Sequence, residues 1–282
     1  EGLETICSSA FSGCGAITSL SLPTSLKSIG SGAFLGCESL SSPIVLPMNL
    51  ISLGSSAFKS CTNLPAITLS EELGNIGNGT FCKCTAITEI TIPKGVSSIG
   101  EEAFLGCTGL TALSLSENLK SIGNYAFYDC TGLTEVELKD NVETIGNYAF
   151  CGCTNIKTLF LGKSVTSIGE SAFKRCGNLM SVYCYALEIS SVGFLAFQDS
   201  NLDNAVLYVS KGSKEKYKKA YGWSQFKNIV EMKMPEHILT YIVDGEVYKT
   251  YSIEEGETIT PEPAPTKEGY AFSGWSDIPK KL

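Results

Sequence analysis

One pair of residues, alanine followed by phenylalanine, returns along this chain at nearly constant spacing. The step is 23 residues, with 24 at two places, and Thr80-Phe81 takes the one position where the alanine is replaced. A period of this length is typical of solenoids, in which each repeat forms one coil and buries its apolar residues against the neighbouring coils. We therefore expect nine stacked coils over residues 1–209, the first and last of them incomplete.

Each position of the repeat has a physical role. Two apolar residues separated by one residue, as in Leu113 and Leu115, alternate with the period of a half-buried strand. A second apolar pair, such as Leu119 and Ile122, is expected on the opposite wall of the coil. The glycine that follows the isoleucine is expected where a side chain would clash in a tight bend. The phenylalanine is expected to point inward and to fill the broad end of the coil.

The full repeat can be written A-F-x-x-C-x-x-L-x-x-L-x-L-P-x-x-L-x-x-I-G-x-x, and it resembles the BspA-like leucine-rich repeats of bacterial surface proteins over residues 1–209. The resemblance implies a leucine-rich-repeat solenoid, rich in β-structure, with short turns or 3-10 segments. It also implies a secreted or cell-surface location and a role in adhesion.

The cysteines follow the same period. One repeat position, three residues after the phenylalanine, holds eight of the twelve: Cys14, Cys37, Cys61, Cys84, Cys107, Cys130, Cys153 and Cys176. Such regularity favours a buried stack of free thiols, since cysteine behaves as a small apolar residue with a weak donor. The spacing of stacked strands also permits disulfides, so bridges stay open as an alternative. Cys82 forms a Cys-x-Cys pair with Cys84, and Cys151 forms one with Cys153. The two pairs lie three coils apart, which is too distant for one metal site, and no metal or cofactor is expected.

The pattern changes after Val209. Residues 210–233 are expected to cap the array, with a short helix whose apolar face is Tyr217, Ala220 and Tyr221 and which Gly222 ends. Residues 234–282 begin with a linker and continue with a hairpin around Asp244-Gly245. Their Gly-Tyr-x-Phe-x-Gly-Trp motif resembles the Listeria–Bacteroides repeat, a small β-grasp-like module of bacterial surface proteins. A further strand is expected in such a module, so we interpret this one as truncated.

The net charge, the length of the apolar runs and the scarcity of histidine exclude several function classes. The net charge is −8, which disfavours nucleic acid as a partner, and the basic stretch at residues 211–219 is interpreted as the solvated face of the helix. No apolar run is long enough to span a membrane. The single histidine, His237, falls in the expected linker, so a catalytic Ser-His-Asp or Cys-His arrangement is not expected. We predict that the chain is not an enzyme.

A candidate binding patch lies near the end of the array. The middle residue of each strand points outward, and in successive coils it is Ser21, Val45, Thr68, Thr91, Ser114, Glu137, Phe160, Tyr183 and Leu207. The position two residues further along adds Gly162, Tyr185 and Val209. Phe160, Tyr183, Tyr185, Leu207 and Val209 are therefore predicted to form one apolar patch. Such a patch marks a contact, either with an external ligand or with the cap or β module of the chain itself.

These observations predict a non-catalytic recognition or adhesion protein that is secreted or attached to the cell surface and is monomeric. The expected partner is a protein, for example a host extracellular or cell-surface protein, which is carried by the family resemblance. Two alternatives remain at this stage. The outward aromatic side chains could stack on a carbohydrate, or the array could be a spacer that displays other domains. The chain begins inside a repeat without a signal peptide, and we interpret it as part of a longer protein.

Overall fold

The computed structural model describes residues 2–187, 189, 191–233, 236–244, 246–254, 258–266 and 273–275. The chain divides into two compact units, Glu1–Glu231 and Met232–Leu282. The first unit is a solenoid of coils of about 23 residues, and the second contains an antiparallel strand pair, so the predicted fold class is confirmed.

The first unit is built from very short strands joined by turns. In chain order its strands are β1 Thr5–Ile6, β2 Ser28–Ile29, β3 Ile44–Val45, β4 Ser52–Leu53, β5 Ile67–Thr68, β6 Asn75–Ile76, β7 Glu89–Thr91, β8 Ser98–Ile99, β9 Ala112–Ser114, β10 Ser121–Ile122, β11 Glu135–Glu137, β12 Thr144–Ile145, β13 Thr158–Leu161, β14 Ser167–Ile168, β15 Ser181–Cys184, β16 Ser191–Val192, β17 Val206–Val209 and β18 Asn228–Glu231.

These strands form two columns, and every pairing within a column is parallel. One column contains β1, β2 and β4 and then β6 through β16 in even-numbered steps. The other contains β3 with β5, β7 with β9, and the five-stranded sheet β11-β13-β15-β17-β18. Each strand pairs with the strand one coil away, as Ile122 pairs with Ile99 and Ile145. The two columns are two walls of the solenoid, and the apolar residues between them form its core.

The third wall consists of successive turns and carries the alanine-phenylalanine pairs. Its backbone is bonded from coil to coil, as where the amide of Phe104 donates to the carbonyl of Ala126 at 2.7 Å. The phenylalanine rings point inward and stack in one column. Phe127 is completely buried, with its ring centroid 5.1 Å from that of Phe104 and 5.0 Å from that of Phe150. The inward position predicted for these residues is confirmed, and the stacked rings form a continuous core that no single coil could bury.

The glycine after each isoleucine lies where neighbouring coils approach most closely. A Cβ atom added to Gly146 would lie 2.5 Å from the carbonyl carbon of Gly123, and one added to Gly123 would lie 2.7 Å from that of Gly100. Real Cβ atoms do not approach backbone atoms this closely, so the coils could not stack at this spacing with a larger residue. By contrast, a Cβ atom on Gly74, outside this position, would meet no atom within 4 Å.

The cysteine column bonds each coil to the one before it. From Cys37 to Cys176 each of these thiols donates to the carbonyl oxygen of the phenylalanine in the preceding coil, with Sγ–O distances from 3.0 to 3.6 Å. Ser200 takes the place of cysteine in the last coil, and its hydroxyl donates to the carbonyl of Phe173 at 2.7 Å. The repeat position therefore requires a small side chain with a hydrogen-bond donor.

Burial suppresses the acidity of these thiols. It raises the pKa of Cys61 and of Cys107 to about 12, and raises that of Cys130 and Cys153 as well. Cys14 is the exception, because it lies in the first coil and is exposed, so its predicted place in the buried stack is wrong. No earlier coil covers it among the described residues.

The cap follows β17 and closes the end of the phenylalanine column. It contains the helix α1, Lys214–Lys219, a 3-10 turn at Trp223–Gln225, and β18. The Trp223 ring is fully buried and its centroid lies 5.2 Å from that of Phe197. The Tyr217 hydroxyl donates to the carbonyl of Ala186 at 2.9 Å. Tyr221 was predicted to belong to the apolar helix face, but α1 ends at Lys219 and Tyr221 is 60% exposed.

The second unit contains the predicted hairpin. Strands β19, Glu236–Val243, and β20, Glu246–Glu254, are antiparallel, with an irregularity between Tyr241 and Ile242. Asp244 has a φ of 53°, as the first central position of a tight hairpin turn requires. The linker predicted before the hairpin is shorter than expected, because His237 lies within β19 and pairs with Ile253. Residues 269–272 of the predicted Gly-Tyr-x-Phe-x-Gly-Trp motif lie outside the described residues.

Glu262 joins the described parts of the second unit. Its carboxylate accepts hydrogen bonds from Lys249 Nζ at 2.8 Å and from the Tyr251 hydroxyl at 2.6 Å. Its backbone carbonyl accepts from Trp275 Nε1 at 2.7 Å, and its amide donates to the Tyr241 hydroxyl at 3.2 Å. One residue therefore connects both hairpin strands to the segment that carries Trp275.

Candidate binding face

The parallel register of the five-stranded sheet places one outward residue of each strand in a single line. Phe160 pairs with Glu137 on one side and with Tyr183 on the other. Tyr183 pairs in turn with Tyr208, and Tyr208 with Val230. The side chains alternate between core and surface along each strand, so all five of these residues lie on the outer face of the sheet.

Three aromatic rings in this line are stacked. The centroids of Phe160 and Tyr183 are 4.8 Å apart with the ring planes 13° from parallel, and those of Tyr183 and Tyr208 are 4.6 Å apart at 7°. All three side chains are half-buried, and Tyr183 lies between the other two rings. We call Phe160, Tyr183 and Tyr208 the aromatic stripe. It is a preformed apolar surface held by a regular backbone.

The structure corrects two residues of the predicted patch. Leu207 and Val209 were expected to point outward, but both are completely buried in the core. The last coil has one extra residue in the turn between Phe197 and its strand, so Tyr183 is matched by Tyr208 and not by Leu207. A shift of one residue exchanges the two faces of a strand. The Leu207-Tyr208-Val209 pattern itself contained the signal, because its middle residue is the tyrosine.

Tyr185 lies two residues beyond Tyr183 and is half-buried on the same side of the sheet. Burial raises the pKa of its hydroxyl. Its carbonyl accepts a hydrogen bond from Ser210 Oγ of the next coil at 3.2 Å. Of the five predicted patch residues, the structure therefore brings Phe160, Tyr183 and Tyr185 to one face and places the other two in the core.

A groove of about 470 Å³ adjoins the stripe at Phe160. We call it the Phe160 groove. Its floor and walls also contain Leu138, Tyr185 and six charged residues: Glu117, Glu135, Glu137, Lys139, Asp140 and Lys163.

Most of these charges are paired within the groove. Lys139 Nζ lies 2.8 Å from Glu137 Oε1 and 3.9 Å from Glu117 Oε1, and Lys163 Nζ lies 3.3 Å from Asp140 Oδ2. Glu135 is exposed and forms no ion pair among the residues that the structure describes. The groove contains four carboxylates and two ammonium groups, so its net charge is negative.

A second groove of about 390 Å³ continues along the sheet toward the earlier coils. Glu135 and Glu137 line both grooves, and Glu89 lines the second one together with uncharged residues. The outer face therefore changes from aromatic to acidic within one coil. The repeat pattern predicted Glu137 as an outward residue but did not indicate Glu135 or the grooves, because the depth of a groove depends on side-chain size in adjacent coils.

The described residues offer no arrangement suited to a metal. Within them, no cluster of three or more His, Cys, Asp or Glu side chains has the geometry of a metal site. These residues also contain no helix that could span a membrane.

Comparison with known proteins agrees with this geometry. A parallel solenoid with a strand, turns and an inward phenylalanine in each coil defines a leucine-rich-repeat protein. The family model of the BspA-type leucine-rich-repeat region matches residues 4–131 and 97–215, and the chain belongs to this family. The model of the Listeria–Bacteroides repeat domain matches residues 237–279. Both kinds of repeat are typical of bacterial surface proteins, and such repeat proteins are generally non-catalytic.

Several solved structures are similar to this chain. A leucine-rich cell surface protein from Faecalibacterium prausnitzii is 21% identical with a TM-score of 0.55, and the match covers 82% of this chain and 83% of that one. A leucine-rich-repeat protein from Bacteroides ovatus is 18% identical with a TM-score of 0.45, over 82% and 88% of the two chains. The pneumococcal vaccine antigen PcpA is 20% identical with a TM-score of 0.46, over 82% and 66%. The curated proteins include no significant match to the sequence.

Proposed function

We propose that this chain is a non-catalytic recognition or adhesion protein, secreted or displayed on the bacterial surface, which binds a protein partner through the outer face of β11, β13, β15 and β17. The observation that carries the proposal is the aromatic stripe. Three aromatic side chains occupy consecutive outward positions at which earlier coils have Thr68, Thr91 and Ser114.

Two features support a protein as the ligand. Aromatic side chains are enriched at the centres of protein interfaces, where they bury a large area at a small cost in side-chain entropy. The stripe also adjoins the Phe160 groove, which combines charged and apolar walls, as interface cores with polar rims do. Membership of a family of bacterial surface proteins agrees with this role.

The test is to present the protein to an array of extracellular proteins and to a glycan array. The informative variant is the triple change Phe160→Ser, Tyr183→Ser and Tyr208→Ser. We expect it to abolish the protein signals and to leave the melting temperature nearly unchanged, since these side chains lie outside the core.

A matched control exists on another wall of the solenoid. Tyr125, Tyr128 and Tyr148 also form a half-buried aromatic cluster, with Tyr125 and Tyr148 stacked at 4.9 Å. Their replacement by serine should preserve binding. Equal binding by both triple variants would contradict the proposal. Signals on the glycan array alone would indicate a carbohydrate-binding protein, and a stable protein without signals on either array would indicate a spacer.

A further inference from the structure

Phe160 is the terminal ring of the aromatic stripe, and only one of its faces is covered by another ring. Tyr183 stacks on that face at 4.8 Å. The residue paired with Phe160 on the other side is Glu137, in β11, which has no ring to stack. Phe160 lines the Phe160 groove together with residues of this preceding coil. An aromatic surface is therefore available to a ligand in the groove.

The carboxylates of the groove lie on the same side of Phe160. Glu135 and Glu137 project from β11 and are both exposed. Lys139 neutralises Glu137 in part, at 2.8 Å, whereas Glu135 has no ion-pair partner in the described part of the chain. Glu89 extends the negative surface into the neighbouring groove, where no basic residue is present among the lining residues.

We propose that the Phe160 groove receives a basic segment of the partner protein, with an arginine side chain lying on the Phe160 ring and bonded to Glu135 and Glu137. This inference rests on the proposed function and specifies the chemistry of the partner. Guanidinium is the group that combines the two requirements of the site. It is flat and stacks on aromatic faces, and its donors match carboxylate oxygens in a fork geometry.

Other ligands satisfy the groove less completely. A lysine ammonium carries the charge but cannot stack as a plane. A neutral sugar can stack on Phe160 but gains nothing from the net negative charge of the walls. Anionic ligands, including nucleic acids and acidic sugars, are repelled by the four carboxylates.

The probe is a short fluorescent peptide of alternating arginine and serine, measured by fluorescence anisotropy at physiological ionic strength. Two matched peptides replace arginine by citrulline, which is flat but neutral, or by lysine. We expect the arginine peptide to bind and the citrulline peptide to bind at least about tenfold more weakly. The affinity of the lysine peptide should fall between these two.

Variants of the protein distinguish peptide binding in the groove from general electrostatic attraction to an acidic surface. Glu135→Gln with Glu137→Gln removes two charges from the groove, and Glu71→Gln with Glu72→Gln removes two exposed charges elsewhere. We expect about tenfold weaker binding for the first pair and less than about twofold for the second. Phe160→Ala should weaken the arginine peptide more than the lysine peptide, while Phe194→Ala, at another exposed phenylalanine, should change neither.

The results distinguish failure of this inference from failure of the proposed function. Equal binding of arginine and citrulline peptides, or equal losses in the two glutamate variants, would overturn the inference. The proposed function would still stand if the triple stripe variant lost its protein signals. Glycan binding that needs Phe160 but neither Glu135 nor Glu137 would reassign the groove to carbohydrate. If neither the triple stripe variant nor the Glu135→Gln, Glu137→Gln variant lost its protein signals, both the inference and the proposed function would be refuted.

Discussion

The thiol of Cys130 donates a hydrogen bond of 3.1 Å to the carbonyl oxygen of Phe104, one coil earlier. That carbonyl also accepts the amide of Cys107 within its own coil, at 3.1 Å. Both lone pairs of a buried oxygen are thus satisfied, which avoids the cost of leaving a polar group unpaired in the core. The cysteine column is therefore a structural device, and it needs reduced sulfur for its hydrogen bonds.

Chemical labelling should show this arrangement. Alkylation without denaturant is expected to modify the two exposed cysteines, Cys7 and Cys14, and to spare the ten buried ones. In denaturant all twelve should react, as counted by intact mass. Burial also holds the buried thiols in their unreactive protonated form, as for Cys61. Detection of several disulfides before any reduction would contradict the prediction.

Alkaline pH should destabilise the solenoid through the same thiols. Burial raises the pKa of Cys107 from 9.0 to about 12, so the folded state holds this proton after the unfolded state has released it. The stabilisation is complete below pH 9 and is lost as the pH rises toward 12, by about 1.4 kcal/mol per pH unit for each such thiol.

Cys107→Ser isolates this contribution, because a serine hydroxyl does not titrate in that range and is tolerated at the equivalent Ser200. Urea denaturation at intervals from pH 8 to about pH 11 in reductant should give a shallower decline for the variant than for the unchanged protein, by about one proton. Parallel curves would show that Cys107 does not contribute.

The phenylalanine column should dominate the stability of the interior coils. Phe127→Ala removes a fully buried ring between Phe104 and Phe150, and we expect it to lower the free energy of unfolding by about 3–5 kcal/mol. Urea denaturation measures the change. Phe11, in the first coil, is 39% exposed and stacks on one side only, so Phe11→Ala should cost clearly less. Equal losses at both positions would contradict this description of the core.

The register of the last strand can be tested with two adjacent residues. Leu207 is fully buried and Tyr208 is on the surface. Leu207→Ser leaves a cavity and a hydroxyl in the core, and should cost about 2–5 kcal/mol. Tyr208→Ser should cost less than about 1 kcal/mol, because the lost contacts are at the surface. Both losses of stability can be measured by thermal and chemical denaturation. A larger loss for Tyr208→Ser than for Leu207→Ser would favour the register with Leu207 outward.

The sequence was sufficient to predict most of the fold because each repeat position is fixed by a local steric or packing requirement. The inward phenylalanine, the glycine at the close approach and the strand alternation all follow from one coil stacked on its copy. The prediction was wrong where the period changes. One additional residue before β17 moved Leu207 and Val209 into the core. Assigning positions with a constant repeat length could not detect this insertion.

The candidate site was predicted less completely, for a different reason. Phe160 and Tyr183 were identified by their outward position, which is a property of one strand. The groove beside them depends on Glu135, Lys139 and Lys163, whose side chains meet only after the coils have stacked. A linear pattern specifies which face a residue occupies, but the depth and charge of a surface depend on neighbours 23 residues away.

The close approach at Gly123 and Gly146 also affects how such a protein can change its length. Both glycines meet the backbone of the preceding coil in the same way, so interior coils are exchangeable neighbours. Removal of residues 101–123 would place Gly146 against Gly100 in the approach that Gly123 now makes. Unequal recombination between repeats can therefore lengthen or shorten the protein by whole coils without a new interface. The aromatic stripe would keep its residues while its distance from the first coil changed.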